Sequence, residues 1–569
     1  MASNQEIDQA FPYEDYRQLT PDATQHDVIE AVQTALESGY ETIYIDGPTG
    51  VGKSALNVAC ANLADSAFYT TPLKALRQQL IDDPGLQDSI TGLRARRDYD
   101  CGETDRNCED CPINLDPDRS CIEQDECTYW EAKQEAMNSH TAVLTFAFLI
   151  ADGYLPTTLP SGEELSFNDR ELLIVDEMDD LESQAASLFS GFTIGQTTLP
   201  NSVARGLSDQ LDEDEMHTHD DVLDIVETIR ERAQEYVVRN SGVESRSKEV
   251  DQCRSLLRKS DWMLDEIDDG RVWVVDIETA YRSRRGEDIE TLQLSPVRVD
   301  RFLAEHVWSR SDKRILSTAT MPLRDNPAQL SARLGLEHDK AYTIKVSMPF
   351  PAKHRPIHKR YVGSFSGGGD KHHWPAIMDE LDELASIHEG QRGVVHTVSY
   401  SRGQKIRETI SNADGDYPHL AENIYQHNPG NDAEAVIDAW LNSDREILLS
   451  PAAMTGVDLY DDRCRWGVML KTPYPHLGDS RLSYLIDERN DWDYYNDIAA
   501  RSIVQAAGRG VRHVDDYCDF YLLDEATEAL LAKASFPEWF REAIVSDQEP
   551  ISLAKQSPIG WQEPDILDF

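Results

Sequence analysis

Residues 42–64 read TIYID (42–46), GPTGVGKS (47–54) and ALNVACANLA (55–64), and this stretch decides the fold. TIYID is a short β-rich run, and ALNVACANLA has the composition of a helix. The eight residues between them fit G-x-x-x-x-G-K-[ST] in full. Glycines at 47, 50 and 52 allow backbone N–H groups to wrap phosphate oxygens, and the following helix N-terminus adds positive potential. Gly47, Pro48, Thr49, Gly50, Val51, Gly52, Lys53 and Ser54 are therefore the expected nucleotide-binding residues. Lys53 is expected to reach the β- and γ-phosphates of ATP, and Ser54 to hold Mg²⁺.

The flanking text repeats the strand–helix rhythm. QHDVIEAVQTALESGY (25–40) has helical spacing, AFYTT (67–71) reads as strand and PLKALRQQLI (72–81) as helix. TAVLTFAFLI (141–150) and LLIVDE (172–177) resume the pattern. Alternating strands and helices predict a parallel α/β sheet. LLIVDE delivers two carboxylates at a strand end: Asp176 is expected to hold Mg²⁺, and Glu177 to polarise the attacking water. A strand-like RILSTAT (314–320) returns to the first sheet. After GSFSGGGD (363–370), a second α/β unit carries RGVVHTVS (392–399), EILLS (446–450), WGVMLK (466–471) and YCDFYLLD (517–524). It also contains Gln505-Ala-Ala-Gly-Arg509-Gly-Val-Arg512, whose paired arginines suit the γ-phosphate of a nucleotide held by another domain.

Composition sets a tension against nucleic-acid chemistry. The chain of 569 residues has 54 Lys plus Arg against 104 Asp plus Glu, a formal charge of −50. The cations are 39 Arg and only 15 Lys. A 40% hydrophobic fraction describes a folded protein with a very acidic surface. Such a surface ordinarily argues against a phosphate-bearing partner. Near 1 M salt, however, the Debye length falls to about 3 Å and distant carboxylates stop repelling phosphate. A lysine-poor, acid-rich composition is what a salt-in cytoplasm favours, so a haloarchaeal, cytoplasmic protein is expected. No run approaches the ~20 apolar residues of a membrane span, and MASNQEIDQAF at the start lacks the pattern of a signal peptide.

Five of nine cysteines lie between positions 101 and 127, spaced C-x6-C-x2-C-x9-C-x5-C. In a large intracellular chain this favours a metal site over disulfides, and thiolates suit either Fe–S or Zn²⁺. Cys60, Cys253, Cys464 and Cys518 stand alone and are expected to pack as small apolar residues. Residues 191–300 are acidic and helical in period, and DQLDEDEMHTHDD (209–221) is expected to be a solvated face. His217, His219, His372 and His373 are expected on surface loops, and Trp308, Trp466 and Trp492 in the core.

The order GPTGVGKS, VDE, STAT, GVD and QAAGRGVRH resembles the XPD/DinG-like branch of superfamily 2 helicases, from Phe11 to about Asp524. The cysteine cluster lies where that family carries a [4Fe–4S] domain, and the helical insertion where it carries an arch. The resemblance implies two RecA-like parallel-sheet motor domains. Motor 1 would comprise 1–94, 141–190 and 301–350, interrupted by an Fe–S domain (95–140) and an arch-like insertion (191–300); motor 2 would span 351–569. It implies Cys101, Cys108, Cys111 and Cys127 as cluster ligands, with Cys121 as alternate and Zn²⁺ as the lesser occupant. Gln25 would sense adenine, here eight positions after Arg17 where the family has Arg-x-x-Gln. Thr71-Pro72-Leu73-Lys74 would touch the strand backbone, Ser317 to Thr320 would couple hydrolysis to strand binding, and His396 to Tyr400 would form motif IV. Asp458 would lie near the ribose, and Gln505, Arg509 and Arg512 would complete catalysis. The family's DEAH reads Asp176-Glu177-Met178-Asp179 here.

The expected activity is an ATP-dependent helicase or translocase on single-stranded DNA or a forked duplex. By resemblance it would be a monomer moving 5′→3′, with repair or replication proteins as partners. A P-loop phosphotransferase, and a zinc-binding nucleic-acid-binding protein with a vestigial ATPase, are the alternatives.

Overall fold

The computed structural model describes residues 3–100, 127–154, 157–158, 164–189, 192–195, 203, 219–241, 247–281, 288–365, 370–413, 415–451 and 459–545. Its first sheet begins with β1 (Thr42–Asp46), β2 (Ala67–Thr71), β3 (Thr91–Gly92), β4 (Thr141–Thr145) and β5 (Leu172–Asp176). An insertion follows, with β6 (Phe192–Gly195), β7 (Trp273–Tyr281) and β8 (Asp288–Pro296). The chain then returns as β9 (Lys313–Thr318) and β10 (Ala341–Lys345). The first sheet has seven strands in the order β10-β1-β9-β5-β2-β4-β3, every pair parallel.

Alternation along each strand builds one core per face. Ile43 and Ile45 of β1 join one hydrophobic cluster, with Tyr69 and Ile174. Tyr44 joins the other, with Phe68, Leu173 and Val175. Both faces are covered, as a parallel sheet requires. Register aligns Ser317 with both Ile45 and Asp176, so Asp46, Asp176 and Ser317 share the C-terminal edge, where ligands bind in open α/β sheets.

The second sheet consists of β11 (Ile357–Gly363), β12 (Gly393–His396), β13 (Ile424–Gln426), β14 (Ile447–Ser450), β15 (Trp466–Met469) and β16 (Asp519–Asp524). Its order is β11-β16-β15-β12-β14-β13, again all parallel.

Eleven helices matter for the site: α1 (Gln25–Glu37), α2 (Lys53–Leu63), α3 (Lys74–Asp82), α4 (Thr128–Asn138), α5 (Leu181–Leu188), α6 (His219–Asn240), α7 (Ser247–Asp268), α8 (Asp300–His306), α9 (Pro327–Leu334), α10 (Ser480–Asp487) and α11 (Trp492–Ala507). The insertion pairs α6 with α7, but it is not purely helical. A three-stranded antiparallel sheet, β6-β8-β7, forms its base. Its core is continuous with one face of the first sheet: Ile225, Met263 and Trp273 belong to the same cluster as Leu173 and Val175. Phe189 stacks on Phe302 at 4.7 Å, and Trp273 meets Phe302 edge-on. The insertion also docks on the second domain, where Ser480 donates to Asp276 Oδ1 at 2.9 Å and Val274 packs with Leu482 and Leu485.

Cys60, Cys253, Cys464 and Cys518 are buried, as are Trp308 and Trp466. Trp492 departs from expectation: at the first turn of α11 it is 47% exposed, its ring edge-on to Tyr495. His372 is exposed, whereas His373 lies beneath Gly363 and against Phe365. Residues 209–218, including His217, lie outside the described residues.

Candidate active site

The loop from Gly47 to Gly52 joins β1 to α2, and two of its glycines have positive φ: Gly50 at +83° and Gly52 at +78°. Only glycine takes those angles without strain. Both are also crowded, since a Cβ on Gly52 would strike Gln25 Nε2 at 2.3 Å and one on Gly50 the Phe350 ring at 2.5 Å. Lys53 begins α2, and its ammonium donates to Gly47 O at 3.3 Å and lies 3.8 Å from Glu177 Oε1. Beneath the loop, the buried carboxylate of Asp46 is paired with Arg324.

Gln25 is almost fully buried behind this loop. Its Nε2 donates to Val51 O at 2.8 Å, while its Oε1 accepts from Arg17 N at 2.9 Å. Gln25 N in turn donates to Arg17 O at 3.1 Å. The hairpin of Gln18–Thr20 with Ala23–Thr24 takes up the intervening chain, so Arg17 and Gln25 are neighbours despite their sequence spacing. Arg17 faces Arg512 closely enough that burial and this second cation lower its pKa.

Asp176 ends β5 and is held on both oxygens. Ser317 Oγ donates to Oδ1 and Tyr69 OH to Oδ2, each at 2.9 Å. Tyr69 OH also accepts from Asn57 Nδ2. Glu177 follows at φ +51°, a left-handed conformation uncommon for a non-glycine residue. Burial pushes its carboxyl up to about 7; Asp179 and Asp176 add to this, while Lys53 and Arg509 oppose it. A carboxylate poised there suits general-base work near neutral pH.

The two sheets meet across this edge. Thr49 Oγ1 donates to Gly508 O at 3.0 Å. Asp179, buried, accepts from Thr318 Oγ1 and Thr320 Oγ1 at 2.6 Å each, and from Gln505 Nε2 at 2.8 Å. Its main-chain oxygen accepts from Arg501. One carboxylate therefore joins STAT of the first domain to QxxGRxxR of the second. Arg509 lies near enough to Glu177, Asp180 and His396 to influence all three. Burial and Arg509 lower the His396 pKa to about 4, so this ring is neutral at physiological pH.

Lys53, Ser54, Asp176, Glu177, Gln505, Arg509 and Arg512 thus converge on one cleft. Lys74 is exposed at the same sheet edge as Thr71. Asp458, with Gly456 and Val457, and Cys101, Cys108, Cys111 and Cys121 lie outside the described residues. Cys127 is described: partly buried, free of disulfide and at the N-cap of α4. Sequence reading missed Tyr69, Asn57, Phe350, Arg324 and Arg501. Each acts through a contact that only the folded chain creates, and no local motif marks them.

Comparison with known proteins matches this arrangement. Residues 381–543 fit the family described as helicase C-terminal domain. Over 91% of its length the chain superposes on a structure titled XPD_Helicase (TM-score 0.59, 15% identity, 97% of that chain). Over the same share it superposes on S. tokodaii Xpd4 (TM-score 0.54, 15% identity, 98% of that chain). The fold of the chain is thus that of these two structures, and its second sheet domain carries the helicase C-terminal match. Among curated relatives, ATP-dependent DNA helicase CHL1 of Vanderwaltozyma polyspora is 29% identical over 107 residues, covering 16% of this chain and 13% of that protein. A regulator of telomere elongation helicase 1 homolog from Caenorhabditis elegans is 33% identical over 104 residues, 16% of this chain and 10% of that protein. The matched stretches thus span about an eighth or less of these longer relatives. Relative to the XPD/DinG-like pattern, Asp179 stands in the DEAH histidine position and bonds to both STAT threonines and the motif VI glutamine.

Proposed function

We propose that the protein is an ATP-dependent helicase or translocase acting on single-stranded DNA. The observation that carries this reading is the cross-cleft carboxylate of Asp179, bonded to Thr318 and Thr320 on one domain and Gln505 on the other. A simple phosphotransferase has no need of a second parallel-sheet domain seated on its phosphate loop. The loop amides, the α2 N-terminus and Lys53 cradle the ATP phosphates, and Arg509 and Arg512 approach the γ-phosphate from the second domain. Ser54 and Asp176 offer hard oxygen ligands to Mg²⁺, which neutralises phosphate charge when bound. Glu177 accepts the proton of the attacking water, and Gln25 braces the loop that holds adenosine's phosphates. Hydrolysis removes the contacts that hold the cleft closed, and alternating closure moves the strand.

The finer elements of the reading rest on resemblance. They are 5′→3′ polarity, a role in DNA repair or replication, forked duplex as substrate and a monomeric, cytoplasmic, halophilic protein. A [4Fe–4S] cluster on Cys101, Cys108, Cys111 and Cys127 (Cys121 as alternate), rather than Zn²⁺, belongs with them. Cys127 suits that role, being a free thiol at the mouth of a helix N-terminus. The decisive experiment is an anaerobic, high-salt purification followed by ATPase assays with and without oligo-dT. A brown protein whose ATPase is stimulated by the strand and abolished by Lys53→Ala is expected. A colourless, zinc-loaded protein indifferent to DNA would overturn the proposal.

A further inference from the structure

Residues 322–325 form a turn between β9 and α9, just after the STAT residues, and one position in it is strained. Leu323 is buried with φ at +46°, in the left-handed region where a bulky side chain is rare. Such outliers persist only where the surroundings over-determine them, and they gather at functional sites. Here the constraints come from the second domain, on both sides of Arg324. Leu323 N donates to the carboxylate of Asp497, which is buried on α11 and lies 3.1 Å from Arg501. Ser535 Oγ donates to Asp325 Oδ2 at 2.5 Å. Arg324, between these two anchors, reaches into the first domain instead, where its guanidinium pairs with Asp46.

Asp46 ends β1 and immediately precedes the phosphate loop. Its carboxylate is buried, and three cations surround it. Burial raises its pKa, while Arg324, Lys345 and Lys53 each oppose the rise. Lys345 is exposed on the edge strand β10, where it registers with Asp46. Lys53 donates to Gly47 O at 3.3 Å, so its ammonium already sits at the peptide unit that follows Asp46. Among the described residues, Arg324 is the cation that pairs with Asp46. A buried carboxylate stripped of its partner is strongly disfavoured. With Arg324 removed, the mobile four-carbon stem of Lys53 could bring a compact charge to Asp46 in its place. That lysine would then no longer be free for phosphate.

We propose that Arg324 is a positioning residue for nucleotide binding: by occupying Asp46, it keeps that carboxylate from capturing Lys53 and leaves the lysine free for the β- and γ-phosphates. The turn that carries Arg324 is fixed by Asp497 and Ser535, so the second domain holds the residue that presents the first domain's lysine. This role presupposes the ATP-dependent reading above. Once ATP is bound, its phosphates outcompete one carboxylate for the lysine, so loss of Arg324 should appear in KM and leave kcat largely intact.

The test is steady-state ATPase of the full protein in molar KCl, with and without oligo-dT. Arg324→Ala is expected to raise KM for ATP about tenfold while kcat changes by less than about twofold. Adding Asp46→Asn removes the competing carboxylate, and the double variant is expected to return KM to within about twofold of wild type. Arg324→Lys, which restores a cation, should do the same. The rescue decides the matter, because a pair that merely braces the fold would leave the double variant as poor as Arg324→Ala. An unchanged KM in Arg324→Ala, or a raised KM that Asp46→Asn does not restore, would overturn the proposal. If the alanine variant does not fold, Arg324→Gln, which keeps a donor to Asp46 without the charge, is judged by the same two results. If wild-type ATPase ignores oligo-dT, the helicase reading fails, whereas the KM comparison is made on ATP alone and still stands.

Discussion

Glu177 shows how much chemistry a single position can carry. Its backbone is left-handed, its carboxyl is pushed up to about 7 by burial, and Lys53 lies 3.8 Å away. The base must be ionised to take a proton, so kcat/KM for ATP is expected to rise with pH through about 7 and then level off. A carboxyl at its ordinary value would give a flat profile over that range, which stopped-flow phosphate release would reveal. Glu177→Gln removes the base while keeping the shape, and kcat should fall by about 10²–10⁴. Asp179 carries as much structure in one side chain. An aspartate here offers two acceptor oxygens, and the structure fills them with two threonine hydroxyls and an amide. That carboxylate thus links the two domains across the cleft.

Among elements, α5, α9, α10 and α11 form a latch between the two domains. Glu182 of α5 accepts from Arg333 of α9 and from Arg481 of α10. Arg333 also pairs with Asp491 and lies 3.7 Å over the Tyr494 ring. Burial alone would raise the Glu182 pKa, but the guanidinium groups of Arg333 and Arg481 outweigh it and hold the carboxyl at about 2. Its folded value is thus below the ordinary 4.5, so its contribution to stability is present above 4.5 and lost as pH falls toward 2. Glu182→Gln leaves two arginines with a neutral partner in a mostly buried site. A loss of about 3 kcal/mol in urea titrations is expected, with a larger radius of gyration by small-angle scattering. An unchanged radius would mean that the latch does not hold the cleft shut.

For the whole molecule, the −50 charge governs the conditions under which everything else works. In dilute buffer the carboxylates repel one another and any phosphate backbone. Near 1 M salt the screening length of about 3 Å leaves only close contacts effective. Strand-stimulated ATPase is therefore expected to rise between 0.1 and about 2 M KCl, measured at fixed oligo-dT. An optimum in dilute buffer would contradict the halophilic reading. Counterion release loses driving force as salt rises, so affinity there must rest on arginine forks and base stacking. The exposed Trp492, edge-on to Tyr495, lies on the second domain.

The sequence alone determined the two parallel sheets, the phosphate loop and the identity of the groups at the cleft. Those features are local: strand period, glycine spacing and strand-end carboxylates are written in consecutive residues. It also placed Arg17 and Gln25 eight apart, and only the hairpin between them showed that they bond to each other. The β6-β8-β7 sheet was less legible because its strands lie far apart in an acidic, helix-rich stretch, although WVVDI and the alternation in DIETLQL were its signal. Tertiary structure decided the rest: Tyr69 and Ser317 on Asp176, Asp179 across the cleft, the Glu182 latch and the pairing of Arg324 with Asp46. These depend on contacts between residues more than a hundred positions apart, and such pairings exist only once the sheets have formed and packed.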